Sequence, residues 1–463
     1  MGTVHAKEHS TMTYGEMDRN SAVTDKKTVN LQEIQARVDK VNVEGLNRTQ
    51  EDIIKRTVKE LFKVNNFEEV IKEVHRTQVK LESLGCFSNI SALIDVSSGP
   101  KATSQGYEVT YFVKELKRVK GSVNTVIGRD NEGSRVVGTV APNVFGRAEK
   151  LHCEFSYGSR QTSTFNVGFY KPFILNTLAE LNTSVFQNES DWPNSGYKQI
   201  DRGTSIGLGF PFMQNIRHTV QWEGCWRELN MNTRYVSFDV REESGHTLKS
   251  AVKHILTVDT RNTPLMPTFG SLLQCTSEIA GLGGNIRFLK NEVLLQHNVE
   301  IFPETVIQGS VTGGVMRPLG SQKEIHICDK FFLGGPQSLR GFISRGVGPV
   351  ADKNFIGGTL YWAGALHLYA PLPFKPGAGG IGDLFRTHLF VNAGNVGSFN
   401  IDFSDRRWLH EFRESTRLAY GAGLAIRLGQ LARVEINYVI PVLFDKSDGI
   451  NRGVQFGIGV HFL

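Results

Sequence analysis

The sequence predicts a transmembrane β-barrel of about 16 antiparallel strands, preceded by one small α+β domain. Three observations predict this fold class: repeated segments of about ten residues that alternate apolar and polar side chains, a composition without long apolar runs, and an alternating last segment ending near an aromatic residue. In such a barrel, one face of each strand meets lipid and the other meets a wet lumen. The last segment carries its apolar face on Val454, Phe456, Ile458, Val460 and Phe462.

The same alternation recurs upstream, and each occurrence predicts a strand. Examples are residues 151–157, 236–240 and 424–428. A soluble β-sandwich also alternates, because one face of each strand packs on a core, so a single segment leaves both interpretations open. Charged residues such as Arg433 and Glu435 recur on the polar faces. Taken together, the segments favour a barrel.

The composition excludes a protein with several transmembrane helices. The chain is 40% hydrophobic and 21% charged, with a mean hydropathy of −0.22, and each helical span needs about 20 apolar residues. Residues 354–374 contain no charged side chain and could suggest a helical span. They contain glycines and prolines, however, and their apolar and polar side chains alternate, so they predict a strand. Residues 119–463 are long enough for about 16 strands of roughly 9–11 residues with their connections.

Charge and cysteine usage argue against several other classes. The net charge is +6, without a basic run interleaved with aromatics, so no nucleic-acid partner is predicted. The five cysteines are widely spaced and form no C-x-x-C pair, so neither a disulfide framework nor a metal site is predicted. The G-x-G-x-x-G at 377–382 follows Pro376 and not a strand, so no cofactor is predicted. We expect no enzymatic activity.

The first residues carry a different pattern. Residues 1–37 are polar and predict a disordered tail. They contain no apolar core of a secretory signal, and we therefore expect an organelle outer membrane, not a bacterial one.

Between this tail and the barrel, residues 38–118 predict a compact β-α-α-β-β unit. Its strands are expected at Val41 and Val43, at 87–95 and at 107–114. Its helices are expected to begin at two capping pairs, Thr49 with Asp52 and Asn66 with Glu69.

Two motifs in the barrel region carry a family resemblance. A Phe332-Leu333-Gly334-Gly335 run precedes the tetrad Leu339, Arg340, Gly341 and Phe342. Together with the leading β-α-α-β-β unit, they resemble the BamA-like outer-membrane assembly superfamily, whose leading units are polypeptide-transport-associated (POTRA) domains. Residues 1–6, 366–374 and 392–395 are similar to the central barrel subunits of the mitochondrial sorting and assembly machinery of animals.

The resemblance implies that a loop around residues 329–350 folds back into the barrel with the tetrad at its tip. A guanidinium in a lumen needs acceptors from the wall, so Arg340 is expected to tether the loop. The positions that match the superfamily's acceptors are His367 and Asn392, and neither is an anion. Backbone carbonyls or a carboxylate elsewhere remain alternatives.

The resemblance also implies a lateral gate between the first and last strands. The expected gate residues are Gly121, Val123, Thr125, Ile127, Val454, Phe456 and Ile458. The last strand further resembles the sorting signal of mitochondrial barrels, at Gln455, Gly457, Val460 and Phe462.

The implied function is insertion and assembly of β-barrel proteins in the mitochondrial outer membrane, with the leading domain in the intermembrane space. The implied partners are unfolded barrel precursors, accessory subunits, the lipid bilayer, and contact-site and cristae proteins of the inner membrane. The alternative is a conducting or protein-translocating outer-envelope pore of the same superfamily.

Overall fold

The computed structural model describes residues 34–98, 100, 102–127, 132–174, 178–213, 215–320, 324–372, 381–398, 415–429, 432–459 and 462–463. Residues 1–33 of the predicted tail, most of the glycine-rich 377–382 stretch and Val460 lie outside these ranges. Contacts within the chain define two units. Of the described residues, one unit contains those up to Gly45, Ile54–Ser83 and Ile90–Val113, and the other contains those in Leu46–Ile53, Leu84–Asn89 and Lys114–Leu463.

The leading region has the predicted β-α-α-β-β order. Its elements are β1 (Arg37–Glu44), α1 (Glu51–Val58), a 3₁₀ helix (Lys59–Lys63), α2 (Phe67–Ser83), β2 (Phe87–Val96) and β3 (Gly106–Glu115). The three strands form one sheet in the order β1-β3-β2, with β1 parallel to β3. A small α+β region therefore precedes the remaining strands.

Local sequence explains how α2 begins and what it buries. The side-chain oxygen of Asn66 accepts the backbone N–H of Glu69 at 2.7 Å, which is the predicted cap of this helix. One face of α2 is buried through Val74 and Leu81. The hydroxyl of Tyr111 on β3 donates to the carbonyl of Val74 at 3.1 Å, so strand and helix share one core.

The segment before α1 is held by a carboxylate and not by the predicted cap. Thr49 was expected to cap α1, but its hydroxyl donates to Glu115 at 2.7 Å. The backbone N–H groups of Asn47, Arg48 and Thr49 also donate to Glu115, at 3.1, 3.0 and 2.9 Å. Partial burial raises the pKa of Glu115, but the hydrogen bonds from Thr49 and Arg48 outweigh it and lower the pKa to about 2. Glu115 is therefore ionised at neutral pH.

The rest of the chain forms a sheet of sixteen antiparallel strands within the described residues, as the sequence predicts. Their bounds are β4 (Lys120–Ile127), β5 (Gly133–Pro142), β6 (Lys150–Gly158), β7 (Ser163–Ile174), β8 (Ala179–Trp192), β9 (Tyr197–Met213), β10 (Ile216–Met231), β11 (Gly245–Asp259), β12 (Gly270–Ala280), β13 (Phe288–Phe302), β14 (Thr305–Pro318), β17 (Leu360–Pro371), β18 (Phe385–Gly397), β19 (Arg417–Leu428), β20 (Ala432–Leu443) and β21 (Gly453–Gly459). The shorter elements are α3 (Phe238–Glu242), β15 (Val350–Ala351), β16 (Asn354–Phe355) and a 3₁₀ helix (Ile381–Leu384).

Each strand of this sheet pairs with its sequence neighbours, and β14 pairs with β17 across the long connection between them. The outer face carries exposed apolar side chains, among them Trp222, Val311, Leu366 and Leu389. The inner face is polar and charged, and β20 presents Arg433, Glu435 and Asn437 there, all buried. No helix in the described ranges is both long and apolar enough to cross a membrane.

The alternation at 236–240 does not form a strand, so that prediction is wrong. Val236 and Val240 are buried, but the chain turns into α3 at Phe238, whose side chain is exposed. The segment lies between β10 and β11, beyond the last paired residues of both strands. The backbone N–H of Ser237 instead donates to the side chain of Asn354 at 3.0 Å. Without a neighbouring strand, an alternating pattern does not stabilise extended backbone.

Candidate functional site in the barrel lumen

The predicted tetrad lies at the inner face of the sheet, on the connection between β14 and β17. The side chains of Leu339, Arg340 and Phe342 are fully buried. Gly341 has a φ of +95°, and a Cβ there would lie 3.0 Å from the Cβ of Ala419 on β19. Only glycine allows both this conformation and this close approach to the wall.

Arg340 forms a buried ion pair with Glu435 on β20. Its Nη2 and Nε donate to the same carboxylate oxygen of Glu435, at 2.8 and 3.3 Å. Both side chains are 0% exposed. The second oxygen of Glu435 lies 2.9 Å from Arg433, so one carboxylate serves two guanidinium groups. A buried charge without a partner is costly, so these contacts hold the loop tip against β20.

The remaining contacts of Arg340 involve the end of the chain. Its Nη1 donates to the carbonyl oxygen of Leu463 at 2.9 Å. Its guanidinium also lies over the rings of Phe390, at 5.1 Å, and of Phe462, at 5.7 Å. Cations are attracted to aromatic faces, more strongly where water is excluded. Arg340 thus joins the loop to β18, β20 and the last residues.

The two predicted partners of Arg340 both lie in this site but contact backbone groups. The amide of Asn392 donates to the carbonyl of Arg340 at 3.2 Å. The Nε2 of His367 lies 2.8 Å from the carbonyl oxygen of Leu463, the same acceptor that Arg340 uses. The anionic partner is Glu435, which the alternation placed on the polar face without linking it to Arg340.

Strand β21 holds the loop through side chains that the sequence singled out for another reason. The side-chain oxygen of Gln455 accepts the backbone N–H of Gly341 at 3.1 Å. The backbone N–H of Leu463 donates to the carbonyl of Gln337 at 3.0 Å. A Cβ at Gly457 would meet the Phe462 ring at 2.9 Å and Pro336 at 3.3 Å, so this glycine permits close packing of the loop.

The expected gate residues occupy the two ends of the strand order. Gly121, Val123 and Thr125 are exposed on β4, which ends at Ile127. On β21, Val454 and Phe456 are 58% and 56% exposed, and Ile458 is half-buried. Among the described strands, β4 pairs only with β5 and β21 only with β20, so the sheet is not closed between them.

The end of the last strand differs from the prediction. Phe462 was expected on the lipid face, in line with Val454 and Phe456, but β21 ends at Gly459 and Phe462 is 7% exposed. Its ring lies 4.5 Å from the guanidinium of Arg433. The attraction of two buried arginines for this ring, together with the contact between Arg340 and Leu463, explains the inward position.

A second ion cluster holds the first part of the same loop. The carboxylate of Asp329 lies 2.7 Å from Nη1 of Arg227 on β10. It lies 3.5 Å from Nζ of Lys249 on β11. No local sequence motif marks these residues as a cluster. The only sequence signal was their position on the polar faces of their strands, and nothing local links them to Asp329.

The fold and the inward loop define a BamA-like membrane β-barrel, and comparison with known proteins agrees. Residues 143–462 match the Omp85 superfamily domain. The solved structure of BamA from Haemophilus ducreyi lacking POTRA domains 1–3 matches with a TM-score of 0.73 and 18% identity, over 92% of this chain and 84% of that chain. CdiB from Escherichia coli matches with a TM-score of 0.56 and 13% identity, over 92% and 75%.

Curated relatives match along the whole chain. The sorting and assembly machinery component 50 homolog of Xenopus tropicalis is 42% identical, with 100% of both chains covered. The human protein of the same name is 41% identical over the same full coverage. The SAM50-like protein CG7639 of Drosophila melanogaster is 35% identical, covering 94% of this chain and 96% of that protein. The chain therefore belongs to the Omp85 superfamily and, within it, to the family of sorting and assembly machinery component 50 homologs.

Proposed function

We propose that this protein inserts and assembles other β-barrel proteins in the mitochondrial outer membrane, without catalysing a chemical reaction. Client strands would enter through a lateral gate between β4 and β21. The single observation that carries this proposal is the strand order, which begins at β4 and ends at β21 without a pairing between them in the described residues.

The physical argument starts from the unpaired edges. A strand edge presents bare N–H and C=O groups, and at membrane depth no water is available to satisfy them. An incoming strand that pairs with either edge forms backbone hydrogen bonds with it, so the N–H and C=O groups of both strands gain partners. An open seam therefore acts as a template for β-strands, and no catalytic group is needed.

The relatives support the same function through their names, which describe components of a sorting and assembly machinery. On this basis we place the protein in the mitochondrial outer membrane as the core of a complex with accessory subunits. The leading region would be a POTRA domain, facing the intermembrane space and receiving unfolded barrel precursors. Contacts with inner-membrane contact-site and cristae proteins belong to the same proposal and rest on the family resemblance.

The alternative function, a conducting or protein-translocating pore, receives less support. Such a pore needs a free path through the lumen, whereas the loop between β14 and β17 is attached to the inner face both at Glu435 on β20 and at Arg227 on β10.

Locking the seam tests the proposal. Cysteines introduced by Val123→Cys and Ile458→Cys, in a background with the native cysteines replaced by alanine, would be joined by a bifunctional thiol reagent in isolated mitochondria. The matched control joins Val123→Cys to Val137→Cys, because these two positions already face each other between β4 and β5. Assembly of newly imported porin is then measured.

We expect the seam lock to block porin assembly and the control lock to leave it unchanged, with both proteins folded and membrane-embedded. Normal porin assembly through a fully crosslinked seam would refute the gate. Loss of assembly in both locked proteins would show that the reagent, and not the seam, is responsible.

A further inference from the structure

The loop between β14 and β17 carries another buried charged side chain, Asp329, eleven residues before Arg340. Its carboxylate lies 2.7 Å from Nη1 of Arg227 and 3.5 Å from Nζ of Lys249. The three side chains are 3–7% exposed. Charged groups at this depth are rare unless they are paired, so the contact is a specific feature of the fold.

Asp329 is the closest carboxylate to Arg227. The other carboxylate near that guanidinium belongs to Asp201 on β9, and the nearest atoms there are 3.7 Å apart. The Nζ of Lys249 lies 2.5 Å from a carboxylate oxygen of Glu278 on β12, so four neighbouring strands, β9 to β12, supply the cluster. Without Asp329, Arg227 would keep only the long contact to Asp201.

The cluster and the Arg340 site lie on different parts of the wall. In the order of the described strands, β20 is second from one end, and β11 and β10 are ninth and tenth. Six strands of this sheet therefore lie between β20 and β11, and seven lie between β20 and β10. A loop fixed at both places spans the inner face of the sheet.

A third contact strengthens the attachment on the Asp329 side. The guanidinium of Arg345 lies 3.3 Å from the Trp192 ring and 4.0 Å from the Phe332 ring. It also donates to the hydroxyl of Tyr197 at 2.7 Å. Trp192 ends β8 and Tyr197 begins β9, so the loop is held by β8–β11 as well as by β20.

We propose that Asp329 is a positioning residue, whose pairing with Arg227 and Lys249 fixes the loop so that Arg340 meets Glu435. This inference rests on the proposed function, because the loop position matters for client assembly only if the protein assembles clients. A merely local ion pair would stabilise the chain around Asp329 and leave the Arg340 end unchanged.

The experiment separates these two roles by thiol labelling of folded protein in membranes. The native Cys328, half-buried beside Asp329, reports on the near end of the loop. A Ser338→Cys reporter, two residues before Arg340 and half-buried, reports on the far end. The native Cys153, half-buried on β6 and paired there with Thr139 and Val167, lies outside the cluster and serves as an internal reference in the same protein. Alkylation rates are compared between the parent protein and Asp329→Asn, and porin assembly is measured on the same membranes.

We expect Asp329→Asn to speed alkylation about tenfold or more at both reporters, to leave alkylation of Cys153 unchanged, and to slow porin assembly. Arg227→Gln should change the rates in the same direction, and the effects of the two substitutions should not add in the double variant, because both remove the contact between Arg227 and Asp329. The matched control is Arg202→Gln, which removes a half-exposed arginine paired with Glu228 on the neighbouring strands. It should change none of these rates.

Faster labelling confined to Cys328 would overturn the proposal, as would unchanged labelling at both reporters. Faster labelling at both positions with normal porin assembly would support the anchor and count against the proposed function. Should Asp329→Asn fail to reach the membrane, Arg227→Lys takes its place, because it keeps the charge and loses only the planar fork.

Discussion

Replacing Arg340 by alanine removes the cation at the centre of the lumenal site. Its guanidinium makes two hydrogen bonds to Glu435, at 2.8 and 3.3 Å, and one to the carbonyl of Leu463, at 2.9 Å. Breaking a buried ion pair costs about 3–5 kcal/mol. Glu435 keeps Arg433 at 2.9 Å, so we expect the lower end of that range for docking of the loop. About 3 kcal/mol corresponds to roughly a hundredfold change in the ratio of docked to released loop.

Two further variants sharpen this prediction. Arg340→Lys keeps the charge but loses the planar fork that reaches Glu435 and Leu463 together, so it should restore docking only in part. Arg217→Ala is the matched control, because its side chain is 49% exposed and its partner Glu180 lies on the wall, away from the loop. Exposed ion pairs contribute about 0–1 kcal/mol, so this control should behave as the parent protein does.

Limited proteolysis in membranes measures loop release, with cleavage followed near Phe342, and import of porin measures function. We expect faster cleavage and slower porin assembly for Arg340→Ala, intermediate values for Arg340→Lys, and an intact barrel in both. An unchanged digestion pattern together with normal assembly in Arg340→Ala would refute the role of this arginine as a loop anchor.

Three other outcomes follow from the contacts described above. Gly341→Ala should release the loop in the same proteolysis assay, because its Cβ would lie 3.0 Å from that of Ala419 at a φ of +95°; an unchanged pattern would contradict this. Burial raises the pKa of Glu115, but the hydrogen bonds from Thr49 and Arg48 outweigh this effect and lower the pKa to about 2 from its ordinary 4.5. Its contribution to stability is therefore complete above pH 4.5 and is lost as the pH falls toward 2, so Glu115→Gln should flatten the acid dependence of amide exchange at residues 47–49. Tyr111→Phe should destabilise the leading region by about 1 kcal/mol through loss of its hydrogen bond to α2, measured by amide exchange in α2, and equal exchange would count against it.

The sequence predicts the strands and the leading region well because both depend on local patterns. Alternation with a period of two follows from the pleat of a strand between lipid and lumen. The start of α2 is predictable because the capping residue and its partner are only three residues apart. The side-chain oxygen of Asn66 accepts the backbone N–H of Glu69 at 2.7 Å. Such signals survive without knowledge of the rest of the fold.

The remaining features depend on contacts between distant segments. The apolar residues Val236 and Val240 follow the alternating pattern of a strand. In the fold this segment lies beyond the paired residues of β10 and β11, so it has no neighbouring strand and forms α3 instead. Phe462 continues the apolar alternation of β21, and the buried arginines that draw it inward are on other elements. Glu435 could be placed on the polar face, but its pairing with Arg340 requires the folded loop.

The ion pairs of the lumenal loop also set an order of events in the folding of this chain. Asp329 lies 102 residues after Arg227, and Arg340 lies 95 residues before Glu435. Closing segments of this length costs more entropy than closing a hairpin between consecutive strands, so the hairpins form first. The loop can find both partners only after the strands on either side of it along the chain are in place. Until β20 has joined the sheet, Arg340 lacks its carboxylate partner Glu435, so full docking of the loop reports that this late strand is in place.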